Sequence, residues 1–240
     1  MKERSRSLPG FLILRFIVRC LRGSQSRREA LFELSGTEGV FQPYATTAFD
    51  RYPAIFRFVR DEIGDGPQRQ ILSFGCSSGE EVFSLRRYFP EAQIVGIDAN
   101  PYNISVCRRN ARQRNDHGVH FRVATTPAAE PDEMYDAIFC MAVLRHGLLT
   151  TADSRCDHLL RFADFDRITG DLARCLRPGG LLAIRHSNFR FSDASASTSF
   201  TVAHRLTGKQ SSGPTPLFGP DNRRLEHGFY DEAVFRKITR

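Results

Sequence analysis

The stretch that most constrains the fold is Ile71-Leu72-Ser73-Phe74-Gly75-Cys76-Ser77-Ser78-Gly79-Glu80-Glu81. A short apolar run ends in two glycines four positions apart, and Val82, Phe83, Leu85, Tyr88 and Phe89 follow at helical spacing. This order predicts a strand, a tight loop and a helix. Backbone N–H groups at such a helix start, reinforced by the macrodipole, favour negative or electron-rich ligand groups. Gly75 and Gly79 would let a ligand approach the backbone closely. Ser78 and Glu81 have the spacing of a capping box, so the helix start is encoded locally.

Pro90 ends that helix, and Gln93-Ile94-Val95-Gly96-Ile97 reads as a second buried strand closing at Asp98. A carboxylate about 20 residues past a glycine loop, at a strand end, is placed to accept hydrogen bonds from ribose hydroxyls. Asp98 also reads as part of a helix start, because Asn100-Pro101 is a cap followed by proline at the first helical position. Together the two elements favour a nucleoside-bearing cofactor. The nicotinamide fingerprint GxGxxG is not met, since Ser77 stands where its second glycine belongs, and no Gly-Lys-Ser/Thr follows to make a P-loop.

Gly75-Cys76-Ser77-Ser78-Gly79-Glu80-Glu81 followed by Gly96-Ile97-Asp98 resembles motifs I and II of class I S-adenosylmethionine-dependent methyltransferases. The GCSSGEE form looks most like the chemotaxis receptor methyltransferase group. Leu176-Arg177-Pro178-Gly179-Gly180 resembles the turn before the fifth strand of the family, and the likeness covers about residues 70–186. It implies S-adenosyl-L-methionine as cofactor, held by Gly75, Cys76, Ser77, Gly79, Asp98 and Ala99. It also implies an adenine contact near Thr125, where no acidic residue stands, and cofactor-lining positions at Met141 and Ala142. In the segment before the core it points to Tyr44, Arg51 and Tyr52 as acceptor contacts; Tyr52 reads equally well as a packing residue.

Beyond the motifs the chain alternates. Strands are expected at 70–74, 93–98, 119–123, 135–141 and 180–186, and helices at 79–89, 101–114 and 161–176. Further strands are expected at 200–206 and 231–238, with a Gly/Pro/Ser-rich loop at 207–220 that could close over an acceptor. The alternation predicts an α/β fold, Rossmann-like and doubly wound, with right-handed crossovers in a mostly parallel sheet. The family likeness adds an antiparallel C-terminal edge pair. An N-terminal helical extension or cap over residues 1–66 would precede a core over 67–240, with a helix from Phe49 to Ile63 leading into it.

The net charge of +7 sits entirely in residues 1–28, where eight basic residues face only Glu3. The remainder is neutral, which argues against a nucleic-acid partner for the body of the protein. Arg15, Arg19 and Arg22 share one face of an apolar segment too short and too charged to span a bilayer. That helix could lie on an anionic membrane surface or pack on its own domain. Six scattered cysteines without a CxxC pair indicate neither a metal site nor a disulfide framework, and fit a reducing cytoplasm.

Ligands in such sheets bind beyond the carboxyl ends of the strands. That rule nominates His146, after the fourth strand, and His186, at the end of the fifth, as bases for a hydroxyl acceptor, although a hydrogen-bonded loop histidine is the plainer reading of each. The leading expectation is O-methylation of a small molecule, glycan or lipid-linked saccharide, in the cytoplasm or at its inner membrane surface. A protein carboxyl methyltransferase and a non-catalytic cofactor-binding protein are the alternatives.

Overall fold

A computed structural model of the chain describes residues 41–42, 47–207, 215–226 and 230–239. The expected helix with Arg15, Arg19 and Arg22, and Tyr44 with it, lie outside the described residues. The described elements are α1 (Pro53–Ile63), β1 (Gln70–Phe74), α2 (Glu80–Tyr88), β2 (Gln93–Asp98), α3 (Pro101–Arg114), β3 (Val119–Val123), β4 (Tyr135–Met141), α4 (Phe162–Cys175), β5 (Leu176–Arg185), β6 (Phe200–Arg205) and β7 (Glu232–Lys237).

The strands form one seven-stranded sheet in the order β3-β2-β1-β4-β5-β7-β6. β1 to β5 run parallel, and β7 pairs antiparallel with both β5 and β6. This is the mostly parallel Rossmann-like sheet with the expected antiparallel edge. The chain winds outward from β1 to β2 and β3, then returns to place β4 on the other side of β1. Such a switch point opens a crevice at the carboxyl ends of the two strands.

Two apolar layers cover the sheet. Ile71, Ile94, Ala137, Phe139 and Ala183 pack with Ile55, Phe56 and Val59 of α1, Val82 and Leu85 of α2, and Ile104 and Cys107 of α3. Leu72, Ile97, Ile138, Leu182 and Ile184 pack on the opposite face with Phe165, Ile168 and Leu172 of α4. Period-two strands and period-3.6 helices meet here as their sequences require. Burying a side chain such as Phe56 or Leu72 contributes about 1.5–3 kcal/mol.

The start of α1 at a proline and the cap of α3 follow local chemistry. α1 starts on Pro53, four residues later than its apolar stripe suggested, with Phe49 and Asp50 in a turn ahead of it. α3 is capped by Asn100, whose side chain accepts from the Tyr102 N–H at 2.9 Å. The expected capping box does not form. Gly79, not Ser78, is the N-cap of α2, and no side chain caps it. The Ser78 hydroxyl donates to Glu80 at 2.8 Å, and the Glu81 carboxylate takes the Ser73 hydroxyl at 2.7 Å.

β5 begins at Leu176 rather than 180 because Leu176 already pairs with Tyr135. Pairing resumes at Ala137 with Leu181, so Pro178-Gly179-Gly180 loops out between the two. The serine-rich run after β5 forms two short 3-10 turns, held where Asp166 accepts from the Ser195 N–H at 2.7 Å and the Ser195 hydroxyl at 2.8 Å. The described part of the 207–220 loop packs against the body of the domain, the Phe218 N–H donating to the Asn188 carbonyl at 2.9 Å. Leu217 and Phe218 are buried, and Cys156 and Arg224 donate backbone hydrogen bonds to Asn222 and Ser154.

Candidate active site

The loop after β1 is built by alternating left-handed residues: Gly75 (φ +77°), Ser77 (φ +51°) and Gly79 (φ +99°). The N–H groups of Gly75 and Cys76 both donate to the Ile97 carbonyl, at 2.7 and 2.9 Å, which ties the loop to the end of β2. The glycines serve packing as well as conformation. A Cβ on Gly75 would lie 2.3 Å from Val143 Cγ2, and one on Gly79 would lie 2.9 Å from the Phe83 ring. The Cys76 thiol points away from the crevice into the core, 3.0 Å from where a Cβ on Gly96 would be, so only its backbone faces the loop. Burial pushes that thiol well up.

Asp98 faces the loop. Its Oδ2 accepts the Ser77 N–H at 2.8 Å, and its Oδ1 accepts the Asn100 N–H at 2.9 Å and the Asn103 amide at 3.2 Å. A carboxylate offers about four lone-pair sites, so three protein donors leave roughly one for a ligand hydroxyl. Burial outweighs these three bonds and raises the Asp98 pKa. The Ser77 hydroxyl, also at the loop, is buried without a partner. Ala99 and Thr125 are half-buried at the ends of β2 and β3, where the Ala124 N–H donates to the Asp98 carbonyl at 3.1 Å.

Across the switch point, Met141 is buried at the end of β4, and Ala142 follows it in a left-handed conformation, donating to the Arg185 carbonyl at 2.8 Å. Three more bonds bind the post-β4 loop to the residues after β5. The Ser187 hydroxyl and the Asn188 N–H each donate to the Leu144 carbonyl at 3.0 Å, and the His146 N–H donates to the Asn188 side chain at 2.8 Å. The Asn188 amide donates in turn to the Pro216 carbonyl at 2.7 Å, and its own carbonyl accepts the Phe218 N–H at 2.9 Å.

The two histidines are not equivalent. The His146 Nδ1 accepts the Leu148 N–H at 3.3 Å, which puts the proton of the neutral ring on Nε2. Burial, aided by His158, pushes its pKa down to about 4. His186 follows β5 directly, with φ +54° and its ring 5.6 Å from Tyr52. Its pKa is also pushed down to about 4, by burial first and then by Arg185, Arg51 and Arg145. Arg51 stands over Tyr52 at 5.3 Å, so the structure brings Arg51, Tyr52 and His186 together, while His146 sits deeper behind the loop.

Arg145, Arg185 and Glu81 belong to the same region; the two arginines went unread in the sequence, and Glu81 was read only as part of a capping box. The available signal was an arginine closing an otherwise apolar strand, Leu181-Leu182-Ala183-Ile184-Arg185, because a charge in that position must be matched within the fold. Glu81 is held up to about 7 by burial, against the Ser73 hydrogen bond and Arg51. Its proton is kept in the folded state above the unfolded carboxyl range, so the stability it contributes is present at low pH and lost as pH rises from about 4.5 to about 7. Glu81→Gln is therefore expected to stabilise the protein by about 1–3 kcal/mol at pH 8 and to do little at pH 5, read by urea unfolding at both values.

The family model described as a methyltransferase domain matches residues 66–216, well over half the chain. The chain belongs to the methyltransferase domain family. This methyltransferase domain, with its mostly parallel Rossmann-like sheet, is similar to several curated proteins. The tRNA U34 carboxymethyltransferase of Shewanella denitrificans is 29% identical over 163 residues, 62% of this chain and 45% of the relative. The ubiquinone biosynthesis O-methyltransferase of Methylocella silvestris is 32% identical over 142 residues, 58% of this chain and 48% of the relative. The solved geranyl diphosphate C-methyltransferase of Streptomyces coelicolor aligns at TM-score 0.41 and 19% identity, over 55% of this chain and 43% of that one. The chain spans about half the length of these curated relatives.

The residues of the methyltransferase domain fit S-adenosylmethionine. Asp98 keeps an acceptor site turned toward the glycine loop, and the Ser77 hydroxyl there is buried and unpaired. Gly75, Ser77 and Gly79 present left-handed backbone at the end of β1, and Met141 and Ala142 border the crevice. Among the described residues no group of three His, Cys, Asp or Glu side chains could hold a metal ion.

Proposed function

We propose that the protein transfers the methyl group of S-adenosylmethionine to a hydroxyl oxygen of a small-molecule or glycan acceptor at the carboxyl ends of β4 and β5. The observation that carries the cofactor side is the Asp98 carboxylate fixed against the Ser77 N–H. S-adenosylmethionine supplies a methyl group already activated on a sulfonium, so the protein's task is alignment and exclusion of water. Alignment alone can contribute on the order of 7–11 kcal/mol. Asp98 would accept from the ribose hydroxyls, and Tyr52 and His186 would border the acceptor.

His186 suits the role of proton acceptor better than His146. Both rings are neutral at pH 7, but the His146 Nδ1 is already taken by the Leu148 N–H. His186→Asn should lower kcat by about 10²–10⁴-fold without changing the affinity for S-adenosylhomocysteine. Because the His186 pKa lies near 4, kcat/KM should stay flat between pH 6 and 8. A decline as pH falls through 7 would instead assign the base to Glu81. A labelled-methyl screen against hydroxyl and carboxylate acceptors tests the reading itself: methyl appearing only on carboxylates would overturn it. The protein carboxyl methyltransferase alternative has the GCSSGEE loop alone behind it.

A place in the cytoplasm, with residues 1–28 against the inner membrane surface, belongs to the same proposal; its support is the clustering of the net charge there. No helix among the described residues is long and apolar enough to cross a membrane.

A further inference from the structure

A group of charged side chains lies beside the crevice. Arg51, Arg145 and Arg185 all act electrostatically on the His186 ring and on the Tyr52 hydroxyl, and Glu81 is the one acid that acts on Tyr52 with them. Arg185 is almost fully buried at the end of β5; its guanidinium donates to the Tyr230 carbonyl at 3.2 Å and lies 5.2 Å from the Tyr230 ring. The Tyr230 hydroxyl accepts the Ser187 N–H at 3.0 Å, which fixes this side of the group. Two polar atoms in it are buried and unpartnered: the Nε–H of Arg145 and the hydroxyl of Tyr52. Buried donors are nearly always paired, so two of them beside one crevice point to a ligand that supplies the acceptors.

The position separates this group from the cofactor's sugar. Asp98 closes β2, on one side of β1, whereas Arg145 follows β4 and Arg185 closes β5, on the other side. The backbone of Arg145 is held by its own N–H to the Val143 carbonyl at 2.8 Å and by the bonds joining Ala142, Leu144 and His146 to the residues after β5. The guanidinium is carried on this anchored backbone, and guanidinium pairs with carboxylate or phosphate are among the stronger hydrogen bonds.

We propose that the acceptor carries an oxyanion, a carboxylate or a phosphate, that docks on the Arg145 guanidinium and the Tyr52 hydroxyl at the ends of β4 and β5, with Arg51 and Arg185 flanking it. This deepens the methyl-transfer reading and rests on it. The anion anchors the acceptor while a separate hydroxyl of the same molecule is presented to the methyl group, which explains why a site beside a histidine base is so rich in arginine.

Inorganic phosphate is the probe, titrated at constant ionic strength into the full chain saturated with S-adenosylhomocysteine and read by calorimetry. Saturable binding is expected in the wild type. Arg145→Met should weaken it about tenfold or more and Tyr52→Phe by about three- to tenfold, with the affinity for S-adenosylhomocysteine changed less than twofold. Tyr52→Phe removes one oxygen only, so it carries the test if Arg145→Met does not fold. If phosphate binds equally well to the wild type and both variants, or not at all to the loaded wild type, the anion site is refuted and methyl transfer stands. If the variants instead lose S-adenosylhomocysteine tenfold, the arginines serve the carboxylate of the cofactor and the proposal is overturned. Absence of S-adenosylhomocysteine binding to the wild type sinks both.

Discussion

Asp98→Asn should lower the affinity for S-adenosylhomocysteine about 100-fold, close to 2.7 kcal/mol, in a calorimetric titration. The two side chains have nearly the same shape, so the effect isolates hydrogen-bond polarity. Three donors converge on the carboxylate: the Ser77 and Asn100 N–H groups and the Asn103 amide. An asparagine offers one oxygen. If that oxygen keeps Asn100 and Asn103, its own amide points at the Ser77 N–H, donor against donor, and flipping the group moves the conflict to the other side. Either choice leaves a half-buried donor unpaired at about 1–3 kcal/mol and lets the glycine loop move off β2. An unchanged affinity would show that the loop takes its shape without Asp98.

Gly75→Ala carries the largest expected loss of stability. The φ of +77° is disfavoured for alanine by about 1–2 kcal/mol. The new methyl would also lie 2.3 Å from Val143 Cγ2 and 3.0 Å from Cγ1, and a valine cannot swing aside freely because its χ1 is stiff. Overpacking of this kind costs about 1–3 kcal/mol, so the total is about 2–5 kcal/mol. For a chain of this size that corresponds to a fall in Tm of roughly 5–15 °C. Gly170→Ala is the control. It sits within α4 with nothing within 4 Å of the added methyl, and should stabilise by about 0.5–1 kcal/mol. Equal melting temperatures for Gly75→Ala and the wild type would mean that Val143 is loosely held.

The sequence was most legible where punctuation and periodicity agree. β1 to β4 and α3 begin and end at the expected residues, and β1, β2 and α3 are bounded by glycine, proline or polar residues. The loop at Gly75 and its acidic partner Asp98 were legible for the same reason, since backbone geometry dictates both. Legibility failed where a side chain had a choice of partners. Glu81 sits three residues after Ser78, as a capping box requires, yet takes the Ser73 hydroxyl across the strand instead. The glycines were read as room for a ligand, whereas Val143 and Phe83 already occupy much of that room. Residues 142–160, after β4, carry no regular period, and their shape depends on hydrogen bonds to 185–188 and 222–224 and on buried Leu144, Leu149, Cys156 and Leu160. Local sequence cannot announce contacts made across so many residues. Arg145 and Arg185 stayed invisible as a group for that reason, being 40 positions apart in the chain.

One carboxamide decides how that side of the crevice can change. Asn188 is almost wholly enclosed and holds, through its side chain and its peptide groups, the segments at Leu144 to His146 and at Pro216 to Phe218. Three stretches remote in sequence are thereby fastened at a single rivet, and none can drift without straining the others. Acceptor preference in this lineage would therefore be retuned by swapping the side chains this bracket displays, while the bracket itself stays put.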